Sequence, residues 1–240
     1  MANTQKWGAP APSTVVRLYL CRHGETDYNA RHLIQGCGID RDLSDTGRDQ
    51  AKALGEALRE FPLDVVGSST LRRSMQTASF IAAHHSAANG VEHEGLREMS
   101  FGDFEGQSPK DLASDFDAVI AAWRTGAVDR AWPNGESPST VAQRARRALK
   151  DVLASSSRSN GEAVRHVALV THGRLNKILL SSLLGRGLHT SDGLVQANCC
   201  INVLDVSSAF FATSDDVHDD ATGITEVFLN YVDHMTSSPL

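Results

Sequence analysis

Two histidines in this chain each follow a short apolar run and precede a glycine: His23 in VVRLYLCRHG and His172 in RHVALVTHG. Arg22 stands directly before the first, and Arg73 follows a third apolar run, LDVVGSS. An arginine beside a histidine places two cation-forming groups together, an arrangement that repels itself unless an anion or solvent intervenes. If the three run ends converge, two guanidinium groups and two imidazoles surround one small volume, and that volume strongly favours a dianion such as a phosphoryl group. Arginine forks would then neutralise its equatorial oxygens while an imidazole nitrogen attacks phosphorus in line. The following helix would add backbone N–H groups at its positive end. The ordinary role of one histidine at a strand end is structural, and the argument for chemistry here is the pairing.

The elements that must hold these residues can be read from periodicity. Residues 15–21 form a β-branched and apolar run suited to a buried strand. The segment from Gly47 places Ala51, Leu54, Ala57, Leu58 and Phe61 at helical spacing, and Pro62 stops it. LDVVGSS reads as a second strand and TLRRSMQTASFIAAHH as the helix after it. LREMSFGDFEGQ is loop-like, with a helix expected over KDLASDFDAVIAAWR; the stretch around 95–135 is expected to be a cap-like insertion. Ser137 is a suitable N-cap for the next helix, with Pro138 at its first position and Val141, Ala145, Ala148, Leu149 and Val152 on one face. A serine-rich loop at 155–161, the strand RHVALVT and the helix RLNKILLSSLLG ending at Gly185 follow. CCINVLDV and TEVFLNYV read as late strands separated by the acidic loop TSDDVHDDATG. Strands alternating with helices predict a three-layer α/β/α sandwich with a mostly parallel central sheet, whose sites collect outside the carboxyl ends of the strands.

Composition narrows the function classes. The 240 residues are long enough for a sizeable core, and one domain over 15–240 is expected behind a flexible tail at 1–14. A formal charge of −6 argues against a general nucleic-acid surface, although a cationic pocket for a small anion fits within that average. No apolar run is long enough to cross a bilayer. Cys21, Cys37, Cys199 and Cys200 show no metal-ligand spacing and read as reduced buried thiols, and the N-terminus has neither signal-peptide nor transit-peptide order, so a cytoplasmic location is expected. His84 and His85 end a helix, where cations suit the dipole, and His32, His93, His166, His189 and His218 have no partner at metal spacing. His234 is a candidate for packing near the site. Lys177 and the basic face of QRARRALK read as solvated helix surface.

RHGETDYN, SSTLRRSMQTA, LREMSFGDFEG, NGES and VTHG, in that order, resemble the motif series of the histidine phosphatase superfamily, whose fold is phosphoglycerate-mutase-like. The resemblance spans nearly everything after the tail. It implies His23 as the phosphohistidine nucleophile, Arg22, Arg73 and His172 as the phosphate clamp, Glu98 as the proton donor, and Asn29 and Gly173 as nearby support. It selects Arg73 over Arg72, leaving Arg72 at the rim or in solvent, and Glu98 over Glu105, leaving Glu105 to orient the loop. It also implies a phosphatase that needs no metal or other cofactor and acts on a small phosphorylated metabolite such as a sugar or glycolytic phosphate. Mutases of the family carry a longer insert after the acid loop than FGDFEGQSPKDL, which favours hydrolysis over mutase-type transfer; a catalytically inactive phospho-ligand module is the remaining alternative. Within the phosphatase branch, HLIQGCGIDRDLSDTG and VFLNYVDHM are similar to TIGAR-type fructose-2,6-bisphosphatases and broad sugar-phosphate phosphatases. Lys110, Arg124 and Arg130 are the basic residues of the cap region available to a second phosphate.

Overall fold

A computed structural model describes residues 6–155, 165–213 and 223–235. Its elements, in chain order, are β1 (Thr14–Arg22), α1 (Asp27–Ala30), α2 (Asp45–Leu58), β2 (Val65–Ser68), α3 (Arg72–Ala82), β3 (Asn89–Glu92), α4 (Pro109–Arg124), α5 (Pro138–Ser155), β4 (Arg165–Thr171), α6 (Gly173–Leu183), β5 (Ile201–Ser207), α7 (Ala209–Ala212) and β6 (Ile224–Tyr231). The serine-rich and acidic loops expected at 155–161 and 213–223 lie, apart from their edges, outside the described residues.

The strands form one sheet in the order β3-β2-β4-β1-β5-β6. β3, β2, β4 and β1 are mutually parallel, while β5 runs antiparallel to β1 and β6 antiparallel to β5. Because successive side chains of a strand point to opposite faces, the apolar runs of the central strands feed two cores. Leu18, Leu20, Val65, Val167 and Leu169 meet the α5 stripe of Val141, Ala145, Ala148, Leu149 and Val152 together with Leu175, Ile178 and Leu179 of α6. Tyr19, Cys21, Val66, Ala168 and Val170 meet Leu54 and Leu58 of α2 and Ala78 and Ile81 of α3. This is the expected three-layer α/β/α sandwich with a mostly parallel sheet.

Local signals fix the helix starts. The Ser44 hydroxyl accepts from the Gly47 N–H, and the Ser137 hydroxyl accepts from the Thr140 N–H ahead of Pro138. In the segment after residue 95, α4 contributes Phe116, Val119, Ile120 and Trp123 to a cluster with Phe101, Phe104 and Trp132. Trp132 lies at the centre of that cluster, its ring within 5.4 Å of Phe101, Phe104, Phe116 and Trp123.

Two expectations need correction. The segment read as a tail is seated from Lys6 onward: Trp7 is buried, stacks on Phe61 at 4.8 Å and lies edge-on to Tyr231 at 5.7 Å. The Gly8 carbonyl accepts from Arg17, whose guanidinium pairs across β1 and β5 with the Asp205 carboxylate at 2.8 Å. Strand β3 was not foreseen, because Asn-Gly-Val-Glu has neither alternation nor β-branched enrichment; it forms as a parallel edge to β2.

Candidate active site

Parallel pairing brings the two histidines together. β1 and β4 are neighbours with Arg22 opposite Thr171, so the residues that follow, His23 and His172, leave the sheet abreast. The His23 N–H donates to the Thr171 carbonyl at 3.0 Å, and the two imidazole centroids lie 5.2 Å apart. On the other side of β4, β2 ends with Ser68 opposite Val170, and Ser69 donates its N–H to the Val170 carbonyl. The Ser69 hydroxyl lies 2.6 Å from His172 Nε2, and α3 then delivers Arg73 to the same point. Three adjacent strand ends thus supply the constellation.

His23 is 3% exposed, and its Nδ1 lies 2.6 Å from the Gly24 carbonyl. A carbonyl oxygen only accepts, so Nδ1 carries the proton and Nε2 keeps its lone pair. The Arg73 Nε–H donates to that Nε2 at 3.3 Å, while Nη1 and Nη2 donate to the carbonyls of Ile39 and Gly36. Arg22 donates from Nη1 to the Gln196 carbonyl at 2.7 Å, whereas its Nε is buried without a partner. His172 is fully buried, and its Nδ1 is likewise without a partner. Gly173 gives Arg22 room: a Cβ there would stand 3.1 Å from Arg22 Nε and press on the guanidinium. Gly24 meets a stricter limit, since a Cβ there would stand 2.4 Å from the Gly47 carbonyl oxygen, which is backbone.

Electrostatics follow from burial. Burial first, then the Arg73 and Arg22 guanidinium groups, hold the His23 imidazole well below the ordinary histidine value, and burial with Arg73 and His23 does the same for His172. Burial also lowers Arg22 and brings Arg73 to about 10. Two guanidinium groups held out of water, with Glu98 and, for Arg73, Asp40 only partly offsetting their burial, are what a phosphoryl dianion would stabilise.

Glu98 reaches this point from the loop before α4. Its Oε1 accepts from the N–H groups of Met99 and Leu175, and its Oε2 from the N–H of Arg174, so the carboxyl caps the start of α6. Oε2 retains one lone pair, the position at which a transferable proton would sit. The loop is anchored by a pair that the sequence reading missed. Arg144 donates to the carbonyls of Gly95, Arg97 and Glu98 and pairs with Glu136, which also accepts from the Ser100 N–H.

Arg22, His23, Asn29, Arg73, Glu98 and Gly173 line one cavity of about 470 Å³, with Phe101 and Phe116 on its wall. His172 is not on that wall; it supports the site from full burial. Asn29 is held by Thr26, whose N–H donates to its Oδ1 at 3.1 Å.

A profile of the histidine phosphatase superfamily (branch 1) matches residues 18–214. The chain belongs to that superfamily. It is 38% identical over 173 residues to a glucosyl-3-phosphoglycerate phosphatase of Mycobacterium tuberculosis, covering 70% of this chain and 75% of that one. It is 32% identical over 191 residues to a probable phosphoglycerate mutase of Erwinia tasmaniensis, covering 80% and 85%. The solved structure of a mycobacterial glucosyl-3-phosphoglycerate phosphatase superposes with a TM-score of 0.75 at 29% identity, covering 90% of this chain and 99% of that one. This member of the superfamily is a phosphoric monoester hydrolase with the phosphoglycerate-mutase-like fold.

The remaining basic residues divide differently from the sequence reading. Arg72 is 58% exposed and pairs with Asp42, as expected of a rim residue, and Glu105 accepts from the N–H groups of Gly38 and Phe101, which fits a loop-orienting role. Lys177, read as solvated surface, instead lines the cavity with Arg174 and Asp192. Of the basic residues expected in the cap, Arg124 pairs with Asp192, Arg130 donates to the Ala118 carbonyl, and none of Lys110, Arg124 and Arg130 lines the cavity. The face of QRARRALK is not solvated throughout, since Arg146 is fully buried and donates to Ser182. His234 stacks on Tyr231 at 5.6 Å and is not a wall residue. Cys21, Cys199 and Cys200 are buried free thiols as expected, whereas Cys37 is only half-buried.

The depressed histidines carry a stability prediction. Below pH 6.5 the unfolded chain protonates at His23 and His172 while the folded chain does not, so the unfolded state binds more protons and stability falls with acidification. Each ring contributes at most about 1.4 kcal/mol per pH unit, approached as the pH falls below the unfolded value. Urea unfolding between pH 6.5 and 5 should therefore show a steep decline, and His23→Gln should flatten it by up to that amount. Equal slopes for the two proteins would mean that His23 is protonated in the fold.

Proposed function

We propose that this protein hydrolyses small phosphomonoesters, sugar and glycolytic phosphates among them, through a phosphohistidine at His23 and without a metal. The observation that carries the reading is Arg22 Nε, buried without a partner on the wall of the cavity that also holds His23, whose Nε2 is met by the Arg73 Nε–H. A phosphoryl oxygen would satisfy Arg22 Nε, and Arg73, on leaving His23 Nε2, would take a second contact and free that lone pair to attack.

In the first step the Nε2 lone pair forms the N–P bond as the ester P–O bond breaks, and its electrons leave on the alkoxide, which takes the proton from Glu98. The Nδ1–H bond to Gly24 holds the ring in line and stabilises the positive charge it acquires. In the second step Glu98 accepts a proton from water, the water oxygen attacks phosphorus, and the N–P electrons return to Nε2. The guanidinium groups of Arg22 and Arg73 supply the charge that a metal ion supplies in other phosphatases. Hydrolysis is favoured over mutase transfer by the short stretch between the acid loop and α4, Gln107–Ser108. A cytoplasmic location is favoured by the buried free thiols, and among the described residues no helix is long and apolar enough to cross a membrane.

The test is phosphate release in chelator from two esters, a sugar phosphate and p-nitrophenyl phosphate, by the wild type and Glu98→Gln. The wild type should turn over both with no added metal. The variant should lose roughly a hundredfold or more in phosphorylation by the sugar phosphate, whose alkoxide needs a proton, and far less with the nitrophenyl ester. Single-turnover measurement keeps the second step from blurring the comparison. Equal losses would assign Glu98 to holding α6 alone, and a metal requirement would overturn the reading.

A further inference from the structure

We propose that the cavity contains a second anion-binding position, formed by Arg174 and Lys177 on the opening turns of α6, and that the substrate is a phosphomonoester bearing a carboxylate or second phosphate there. This rests on the phosphatase reading above.

Arg174 and Lys177 are three apart on one helix, so they share a face, displaced along the axis by about 4.5 Å. Both line the cavity that holds Arg22, His23 and Arg73. The cavity wall carries four cationic side chains, Arg22, Arg73, Arg174 and Lys177, against two carboxylates, Glu98 and Asp192. A transferring phosphoryl group accounts for Arg22 and Arg73. Glu98 is held by backbone N–H groups of α6, and Asp192 is the carboxylate that pairs directly with Arg174.

Asp192 is already shared. It pairs with Arg124 from outside the cavity and with Arg174 Nη1 at 3.1 Å. Burial acts against its charge, but the hydrogen bonds from Arg124 and Arg174 prevail and keep it below the usual carboxylate range. Lys177 has only the Asp192 backbone carbonyl, at 3.4 Å. Arg174 thus shares its carboxylate with Arg124, and among the described residues Lys177 has no carboxylate of its own within ion-pair distance. The ammonium is half-buried, and burial followed by the nearby Arg174 lowers its affinity for a proton. A cation in this state is stabilised by an anion delivered to it. Leu33, Phe101, Phe116 and Leu194 also line the cavity and offer apolar surface to a carbon skeleton.

A purely structural role for Arg174, tying α6 to Asp192 and lying over Trp123 at 5.9 Å, makes a different prediction. Two matched pairs of probes separate the roles. Glycerol 3-phosphate and 3-phosphoglycerate differ by a carboxylate in place of a hydroxymethyl group, and fructose 6-phosphate and fructose 1,6-bisphosphate differ by a phosphate. The wild type should prefer the doubly anionic member of at least one pair by about ten- to hundredfold in kcat/KM, the scale of a charge-assisted hydrogen bond, and the pair that responds identifies the anion. In Lys177→Gln and Arg174→Gln that ratio should fall towards one, chiefly through KM. The ratio is internal to each preparation, so partial misfolding does not alter it. No preference in the wild type, or a preference retained in both variants, overturns the proposal while hydrolysis of p-nitrophenyl phosphate still upholds the phosphatase reading. Failure to hydrolyse any of the five esters would overturn both.

Discussion

His23→Ala is expected to lose turnover by on the order of a millionfold, the scale of removing a covalent nucleophile from an otherwise intact site. The expectation follows from geometry. Nδ1 is committed to the Gly24 carbonyl, so Nε2 is the ring atom that keeps a lone pair; the Arg73 Nε–H meets it in the resting site, and burial beside two guanidinium groups keeps it unprotonated. The neighbouring imidazole does not stand in for it: His172 is fully buried off the cavity wall, with its Nε2 engaged by Ser69. A phosphate-release assay sensitive to one part in 10⁶ of wild-type activity measures the loss, and a residual rate within a hundredfold of wild type would move the nucleophile elsewhere.

Arg73→Ala is expected to lower kcat by a hundred- to a thousandfold, about 3 kcal/mol of transition-state stabilisation, because it removes a charged donor aimed at the point where negative charge spreads over the phosphoryl oxygens. Arg72→Ala, one residue away, should stay within a factor of about two, since its guanidinium is exposed and bound to Asp42. The neighbouring pair is an internal control: the same helix and the same chemical change are read with and without access to His23. Arg73 also fastens the Gly36 and Ile39 carbonyls, so Arg73→Lys, which keeps the charge without the fork, should recover part of the rate. Equal behaviour of the two alanine variants would contradict the assignment of Arg73 to the transferring group.

The chemistry of this site was legible because it lies at the ends of buried parallel strands. VVRLYLC and HVALVT are apolar enough to be central strands, and once β1 and β4 are neighbours in register, Arg22 opposite Thr171 leaves His23 and His172 no choice but to emerge together. That β4 rather than β2 would neighbour β1 is a matter of long-range topology that no local pattern carries. Trp7 was hidden for a related reason, since its partners Tyr19, Phe61 and Tyr231 come from three distant elements. Lys177 illustrates a different limit. On α6 the residues that avoid the core look alike in sequence whether they face bulk water or a cavity, and here that face closes on Asp192. Arg144 and Glu136 were missed because their role is to hold backbone: one guanidinium gathers three carbonyls of the 95–98 loop, and no spacing rule announces that.

The central claim, that a phosphoryl group resides covalently on His23 during turnover, is tested most directly by trapping it. The enzyme would be mixed with a ³²P-labelled phosphomonoester, quenched within milliseconds, and the labelled peptide mapped by mass spectrometry. The account predicts label on the peptide containing His23, labile to acid and stable to base as a phosphoramidate is, and absent from His23→Ala. Label on a serine, threonine or carboxylate side chain, or on His172 instead, would contradict it.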